Sequence, residues 1–452
     1  MQFIISLVSF IVVLGILVTI HEFGHFWVAR RCGVKVLRFS VGFGKPIFKF
    51  RRKNDPTEYV IAGIPLGGYV KMLDENETDV AEEEKHLAFN NKPLLSRFMI
   101  VLAGPVFNLL FAFIAFWLIL LLGEEGLKPV IGSLDKQGIA IHSTVEVGDE
   151  IVSVNGRPAP IWRVAAGLMT SEMLDKGTFE LTVAKPGGQL NTVVLDIGSA
   201  DLPEATDALN RVGIVPRTPV LQAVVGELVK GEAGDKAGLL SGDLIVSVNQ
   251  KEVNSWAELV AVTRANAESP MEIVLLRAGR PLELTLVPKG IKEGSQRIGR
   301  IGVAPLIPSD LRSDFYATYS LGMFDAISEA AKQTISYSLL TAKMIGRMMI
   351  GQASLENLSG PISIAQYAGK TASIGLVAFL KFLAFVSVSL GVMNLLPIPM
   401  LDGGHLVFYI IEAVKGKPVS EKVQAGFMRI GMLALMSLML IAVFVDVNRL
   451  MG

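Results

Sequence analysis

The sequence predicts a multi-pass α-helical membrane protein with four transmembrane helices and a duplicated small α/β domain inserted between the second and third spans. Hydrophobic residues make up 51% of the 452 residues and charged residues only 19%, and several long stretches carry almost no charge. The 42 basic residues balance the 42 acidic ones, which argues against nucleic acid as a partner. The single cysteine, Cys32, excludes an internal disulfide and a cysteine-rich metal site.

Four apolar segments are long enough to cross a lipid bilayer, because a spanning helix needs about 20 apolar residues. We predict these transmembrane helices at residues 1–28, 96–122, 374–402 and 425–447. A cleaved signal peptide is the alternative for the first segment, but the stretch from Phe3 to Ile20 has neither a basic leader nor a small-residue cleavage site. The first segment is therefore interpreted as a membrane span.

A fifth segment, residues 320–352, carries charges among apolar residues such as Met323, Ile327 and Ile335 at roughly helical spacing. This pattern predicts an amphipathic helix on the membrane surface, with a soluble packing helix as the alternative. Basic residues concentrate in the loop 29–95 and after the third span, and positively charged loops stay on the cytoplasmic side. Both termini and the long segment between the second and third spans are therefore expected on the outer side of the membrane.

The segment between the second and third spans contains an internal repeat. Gly148-Asp-Glu-Ile-Val-Ser-Val-Asn155 matches Gly242-Asp-Leu-Ile-Val-Ser-Val-Asn249, and a tryptophan follows each copy at the same distance. Two copies of one domain, each with short strands and one helix, are therefore predicted at residues 127–218 and 219–310. The repeated motif resembles the PDZ-domain signature, which implies capture of extended peptides by strand addition. The alternative is a steric role that excludes bulky substrates.

The strongest chemical signal is His21-Glu22-Phe23-Gly24-His25, near the inner end of the first span. Positions i and i+4 share one face of a helix, so the two imidazoles can bind one Zn²⁺. Glu22 could then deprotonate a zinc-bound water, whose pKa the metal lowers to about 7. Ionisable residues inside a span are functional by default, and the alternative is that both histidines only extend to the interface.

A catalytic zinc also needs a third protein ligand and an open position. The third span ends at Asn394-Leu-Leu-Pro-Ile-Pro-Met-Leu-Asp402-Gly-Gly-His405, where the two prolines interrupt the helix. Asp402 and His405 are both candidates, and the precedent of His₂Glu zinc sites favours a carboxylate. If residues 320–352 stay on the surface, the first and third spans run in the same direction. Asp402 then lies at the same membrane face as His21.

The other two histidines are weaker candidates. His86 follows the acidic run Glu82-Glu83-Glu84 and is expected to be solvated. His142 lies in the outer repeat, on the opposite side of the membrane from the predicted site.

The HExxH motif at His21, the Asn394-x-x-Pro-x-Pro and Leu401-Asp402-Gly403 motifs, and the PDZ-like repeats between them resemble the site-2 protease family over essentially the whole chain. This resemblance implies a zinc intramembrane metalloprotease with one Zn²⁺ per chain, with the active site toward the cytoplasmic side of a bacterial inner membrane. By the same resemblance His21, His25 and Asp402 are the ligands and Glu22 is the base.

The resemblance also implies the partners. The expected substrate is a single-span anti-sigma factor already trimmed on its outer side, whose cleavage activates the sigma-E envelope stress response. Remnant signal peptides are a second implied substrate class, and the lipid bilayer surrounds both. We further expect the outer repeats to exclude substrates with bulky outer domains.

Three further features are candidates for a role at the active site. Asn394 is expected near the substrate backbone as a donor to the oxyanion, with a hydrogen bond between helices as the alternative. The loop 29–95 is predicted to form Gly-rich strands, and its segment Gly67-Gly68-Tyr69 is expected to bind the unwound substrate as an added strand. Asn108 in the second span could serve the site, but polar packing between helices is favoured.

Two rival functions make different demands on the sequence. A non-catalytic membrane scaffold would bind outer peptides through the PDZ-like repeats and would not need His21, Glu22 and His25. A zinc transporter would carry polar residues along several spans. The second and fourth spans have few, which disfavours the transporter.

Overall fold

The computed structural model describes residues 2–53, 55–76, 79–196, 205–293, 296–350 and 360–451. The chain divides into two compact units. One combines residues 1–123 with residues 320–448, and the other consists mainly of Glu124–Tyr319. The last two residues of the predicted surface helix 320–352 lie outside the described residues.

The helices and strands of the described residues are numbered here along the chain. The helices are α1 (Gln2–Arg31), α2 (Leu94–Leu122), α3 (Trp162–Lys176), α4 (Ala205–Val212), α5 (Ala233–Lys236), α6 (Trp256–Ala265), α7 (Ser309–Phe315), α8 (Met323–Met349), α9 (Pro361–Ile374), α10 (Leu376–Leu395), α11 (Asp402–Lys415) and α12 (Glu421–Met451). The strands are β1 (Val36–Arg51), β2 (Glu58–Met72), β3 (Glu124–Leu127), β4 (Ile131–Leu134), β5 (Glu150–Val154), β6 (Arg157–Pro158), β7 (Thr178–Ala184), β8 (Leu190–Asp196), β9 (Ile214–Pro216), β10 (Val225–Leu228), β11 (Leu244–Val248), β12 (Lys251–Glu252), β13 (Met271–Arg277), β14 (Arg280–Leu286), β15 (Lys289–Glu293), β16 (Gln296–Arg300), β17 (Val303–Pro305) and β18 (Tyr316–Tyr319).

Four helices of the first unit, α1, α2, α10 and α12, are long and apolar enough to cross a membrane. The chain is therefore a multi-pass membrane protein with a β-rich segment between its second and third long apolar helices. The third of these helices is shorter than the predicted span 374–402. Helix α10 ends at Leu395, and Asp402 opens a separate helix, α11. Pro397 and Pro399 lie between the two helices, where their rings exclude a continuous helix.

Helix α2 lies at the centre of the first unit and packs against α1, α8, α10 and α11. Small buried residues along it, among them Ala103, Gly104 and Ala112, let neighbouring helices approach closely. Helix α8 is not among the four apolar helices, and its predicted place on the membrane surface stays a prediction. Helix α9, which packs against α1 and α10, was not predicted from the sequence.

Strands β1 and β2 fold into a compact sheet beside α1. Residues 38–41 of β1 lie between two parts of β2, residues 58–61 and residues 68–71. Residues 48–51 of β1 pair with the other side of residues 58–61. Residues 68–71 thus form one edge, and within the described residues no further strand pairs with them.

The second unit contains two four-stranded antiparallel sheets with the same strand order, β6-β5-β7-β8 and β12-β11-β13-β14. Each sheet has a helix that begins at a tryptophan, Trp162 in α3 and Trp256 in α6. Each copy also has a two-stranded pair, β4–β9 in the first and β10–β17 in the second. Each copy buries its own apolar core. The repeat in the sequence therefore corresponds to a repeat of structure.

A buried aspartate holds the turn that leads into each sheet. Gly148 and Gly242 have φ angles of 96° and 93°, which side chains other than glycine rarely adopt. The next residues, Asp149 and Asp243, each accept the backbone N–H of the residue three positions earlier, at 2.9 Å and 2.8 Å. This explains why the Gly-Asp pair is present in both copies.

The cation that faces this aspartate differs between the copies. Arg277 at the end of β13 donates two hydrogen bonds to Asp243, both at 2.8 Å. Lys185, the corresponding residue of the first copy, places its Nζ 3.3 Å from Asp149 Oδ2. Bidentate guanidinium pairs are stronger than single ammonium contacts, so the second turn is held more firmly.

We predict that Asp243→Asn weakens the second copy and flattens its dependence on pH. The Arg277 guanidinium holds the pKa of Asp243 below its ordinary value. Its stabilisation is therefore complete above the unfolded pKa of about 3.9 and is lost as the pH falls through the lower folded pKa. Hydrogen exchange of β11 in the detergent-solubilised chain, corrected for intrinsic rates, should lose about 1–3 kcal/mol of protection in the variant at pH 7.

Asp149→Asn is the matched control, and it should cost the first copy less. Equal losses in the two copies, or an unchanged acid dependence in Asp243→Asn, would contradict this account of the turn.

Candidate metal centre and active site

Helix α1 places two imidazoles side by side. His21 and His25 lie one helical turn apart, and their ring centroids are separated by 4.8 Å. Their Nε2 atoms are 3.2 Å apart. The i, i+4 spacing expected from the sequence therefore brings two potential ligand atoms to one point.

Asp402 approaches the same point from α11. Its Oδ2 atom lies 3.2 Å from His21 Nε2 and 3.5 Å from His25 Nε2. Asp402 is the first residue of α11, which begins after the interruption at the two prolines. Gly403 follows, and a side chain there would lie 2.7 Å from the carbonyl carbon of Leu395, so this tight approach requires glycine.

The three atoms fit a zinc ion. The edges of a tetrahedral site with bonds of ~2.0–2.1 Å are about 3.3–3.4 Å long, close to the observed separations. Asp402 Oδ2 is buried and accepts no hydrogen bond from the described residues, as expected of an atom reserved for a cation. Among the described residues, His21, His25 and Asp402 form the one group of three or more His, Cys, Asp or Glu side chains that could hold a metal.

The remaining histidines do not join this group. His405 lies one turn into α11, and its ring contacts Phe408 edge-on at 6.4 Å. His86 lies in a 3₁₀ turn of the loop before α2, and His142 lies in the second unit. The geometry therefore favours Asp402 over His405, the choice that the sequence left open.

The outer nitrogens of both rings face α2. His25 Nδ1 is 2.8 Å from the backbone oxygen of Ile100, so its Nδ1–H donates there and Nε2 keeps its lone pair for a metal. His21 Nδ1 is 3.1 Å from the side-chain amide of Asn108. Gly104 lies between these two residues, and a Cβ atom there would lie 2.8 Å from His21 Cε1. Asn108 was named from the sequence as a possible site residue, with polar packing between helices favoured. The roles of Gly104 and the Ile100 carbonyl were not predicted, although the i, i+4, i+8 spacing could have indicated a common face.

Glu22 is buried and lies against the edge of the small sheet. A Cβ atom on Gly68 would be 2.8 Å from Glu22 Cγ, so the strand backbone packs directly on this side chain. Gly67 precedes it with a φ of 147° and faces the ring of Phe43. The Tyr69 ring stacks on Phe43 with centroids 6.2 Å apart. The structure thus brings the predicted Gly67-Gly68-Tyr69 segment next to the predicted base.

Asn394 lies in the last turn of α10, just before the interruption that leads to Asp402. Its side chain is half-buried and makes no hydrogen bond within the described part of the chain. An amide left free at this position remains available to a substrate.

Helix α11 is tied to α2 by a partly buried ion pair that the sequence did not indicate. Arg97 donates to both oxygens of Glu412, at 2.6 Å and 3.2 Å, and its guanidinium lies over the Tyr409 ring. This pair fixes the helix that carries Asp402 against the helix that supports the histidines.

Known proteins resemble this chain over almost its whole length. The sequence profile of peptidase family M50 matches residues 9–438. The chain is 46% identical to "Protease RseP" of Yersinia pestis over 450 residues, which cover 98% of this chain and 99% of that protein. It is 44% identical to "Regulator of sigma-E protease RseP" of Escherichia coli strain K12 over 453 residues, which cover 100% of both chains. It is 43% identical over 450 residues to a Vibrio cholerae protein named as a zinc metalloprotease, covering 98% of this chain and 99% of that protein.

We predict that Gly104→Ala weakens zinc binding at the metal centre. The added methyl would contact both imidazoles, with His25 Cε1 only 2.6 Å away, so at least one ring must turn. Loss of an outer-shell partner typically costs about 10–100-fold in metal affinity, so turning a ligand ring should lower zinc affinity by at least that much, measured by chelator competition in detergent. Gly15→Ala on α1 is the control because nothing lies within 4 Å of its new methyl. Zinc binding at wild-type strength in Gly104→Ala would show that the rings do not depend on this contact.

Proposed function

This chain belongs to peptidase family M50 and is a zinc metalloprotease of the site-2 type, and we propose that it cuts a single-span membrane protein within its membrane span. The observation that carries the proposal is the convergence of His21, His25 and Asp402, with Glu22 on the same helix, among helices long enough to cross a bilayer. The names of the relatives point to the sigma-E pathway, so the proposed substrate is an anti-sigma factor trimmed on its outer side. Remnant signal peptides, as already inserted single spans, are a second proposed class.

The metal would be held by His21 Nε2, His25 Nε2 and Asp402 Oδ2. When bound, zinc supplies a more acidic water and polarises the scissile carbonyl. Glu22 accepts the proton of the attacking water at its carboxylate and transfers it to the nitrogen of the leaving chain. The Asn394 side-chain N–H donates to the oxygen of the scissile carbonyl, where negative charge develops during attack.

The edge strand of the small sheet is proposed to hold the substrate. A membrane helix hides its peptide bonds in internal hydrogen bonds and must unwind before a protease can attack it. Residues 68–71 present an edge without a further strand partner in the described residues, and Gly68 packs on Glu22. A substrate segment added to this edge would exchange its helical hydrogen bonds for sheet bonds beside the base.

We propose that the two repeats of the second unit are PDZ-like domains that select substrates. The second copy has a cavity of ≈390 Å³ between its pair β10–β17 and helix α6. Its lining includes Leu228, Trp256, Leu259 and Val303, which suits apolar side chains of an extended peptide. Peptide capture and exclusion of bulky outer domains both use this unit. The basic residues of loop 29–95, which favour the cytoplasmic side, support a place for the unit on the periplasmic side of the inner membrane.

We predict that Glu22→Gln retains zinc and loses cleavage. Glutamine keeps the volume of the side chain but cannot accept the proton, so turnover should fall by at least about 10²–10⁴-fold. The assay compares wild type and variant on a purified single-span anti-sigma-type substrate in detergent, with zinc measured in the same samples. Equal cleavage by both would place the activity elsewhere. Peptide binding by both without any cleavage would favour a non-catalytic scaffold.

We predict that one proline in the edge strand slows cleavage without loss of zinc. Consecutive N–H groups of a strand point to opposite sides. Of the two neighbouring residues Tyr69 and Val70, only one therefore has its N–H on the free edge, and proline at that position removes the donor. That variant should cleave about tenfold more slowly, which corresponds to one hydrogen bond. Alanine at the same position keeps the N–H and is the matched control. Wild-type rates in both proline variants would contradict strand addition.

A further inference from the structure

The side chain of Asn108 is a buried polar group beside the metal centre that is only partly satisfied. Asn108 is completely buried, and its Nδ2 lies 3.1 Å from His21 Nδ1. Its Oδ1 is buried without a hydrogen-bond partner among the described residues. A buried polar atom left in this state costs about 1–3 kcal/mol, so this group calls for a physical explanation.

The chemistry of His21 decides which amide atom must face it. A neutral imidazole carries one proton, either on Nδ1 or on Nε2. If the Asn108 NH₂ group faced Nδ1, the proton would sit on Nε2, the atom that points at His25 and Asp402. That tautomer could not bind a metal there. The oxygen and nitrogen of a carboxamide occupy nearly the same volume, so rotation by half a turn brings Oδ1 to Nδ1–H and gives this oxygen its donor.

We propose that Asn108 is a positioning residue of the metal centre, and this inference rests on the zinc site proposed above. Its side-chain oxygen accepts the Nδ1–H of His21 and holds the ring in the tautomer and orientation that present Nε2 to the metal. The Ile100 carbonyl does the same for His25, at 2.8 Å. Helix α2 thus supplies one acceptor for each ring from a single face, with Gly104 between them.

The backbone at Asn108 is fixed independently of its side chain. Ser387 on α10 is also buried, and its hydroxyl donates to the Asn108 carbonyl at 2.7 Å. Removing this hydroxyl deletes a buried hydrogen bond at the same residue without touching His21. Ser387→Ala is therefore a matched control for any general loosening of α2 against α10.

The test compares zinc affinity in Asn108→Leu, Asn108→Asp and Ser387→Ala, measured by chelator competition on the full chain in detergent. Leucine has a similar size but no acceptor, and it should weaken zinc binding by about 10–100-fold. Aspartate keeps an acceptor oxygen and should stay within about threefold of the wild type, as should Ser387→Ala. Wild-type affinity in Asn108→Leu overturns the proposal. An equal loss in Asn108→Asp or Ser387→Ala also overturns it, because the loss would then come from packing.

A second measurement needs no variant at Asn108 to fold. The chain has 5 histidines, so ¹⁵N labelling of histidine alone gives a small set of signals, with His21 assigned from His21→Gln. In the zinc-free wild type we expect the His21 proton on Nδ1, and a proton on Nε2 would overturn the proposal. If the wild type binds no zinc at all, the metal site itself fails. If wild type and Asn108→Leu bind zinc with equal affinity, the zinc site stands and only the proposed role of Asn108 is excluded.

Discussion

A polar site among membrane-spanning helices can exist only where the helices themselves satisfy the polar groups that lipid cannot. In this chain that condition is met by the contact between α1 and α2. A Cβ atom on Gly24 would lie 2.9 Å from the carbonyl carbon of Ala103, and one on Gly104 would contact both imidazoles. Because both helices lack side chains at these points, the α2 backbone comes near enough for the Ile100 carbonyl to accept His25 Nδ1–H. The proposed metal centre therefore depends on two glycines whose only contribution is the absence of a side chain.

The same constraint explains why the third apolar helix must stop before Asp402. A continuous helix would carry this carboxylate along its own axis, whereas the interruption lets α11 begin with its first residue at the histidines. A side chain at Gly431 of α12 would lie 2.8 Å from the Pro399 carbonyl carbon, so α12 packs directly on the interrupted backbone between α10 and α11. The Arg97–Glu412 pair then holds α11 to α2. The ligands come from distant parts of the sequence, but each is held by the same central helix.

The parts of this arrangement that the sequence predicted are local. The spacing of His21 and His25, the prolines before Asp402 and the Gly-Asp repeat each act within one turn of chain, and each could be identified from its own residues. The strand order in the loop 29–95 could not be predicted, because residues 38–41 pair on both sides with two different parts of the long strand β2. The role of Asn108 could not be decided either, because it depends on which face of α2 packs against α1. The ends of helices such as α11 depend on tertiary contacts and were missed for the same reason.

Comparison of Asp446 with Asp402 distinguishes a carboxylate that stabilises the fold from one that is free to bind a cation. Asp446 of α12 is almost completely buried, and it accepts the backbone N–H groups of Ile362 and Ser363 at 2.8 Å and 3.0 Å. It caps the beginning of α9, where free N–H groups favour a negative charge. Asp402 Oδ2 accepts no hydrogen bond within the described residues and faces two imidazole nitrogens instead. Both carboxylates are costly in an apolar environment, and only the one whose oxygen lacks a protein donor is left to bind a cation.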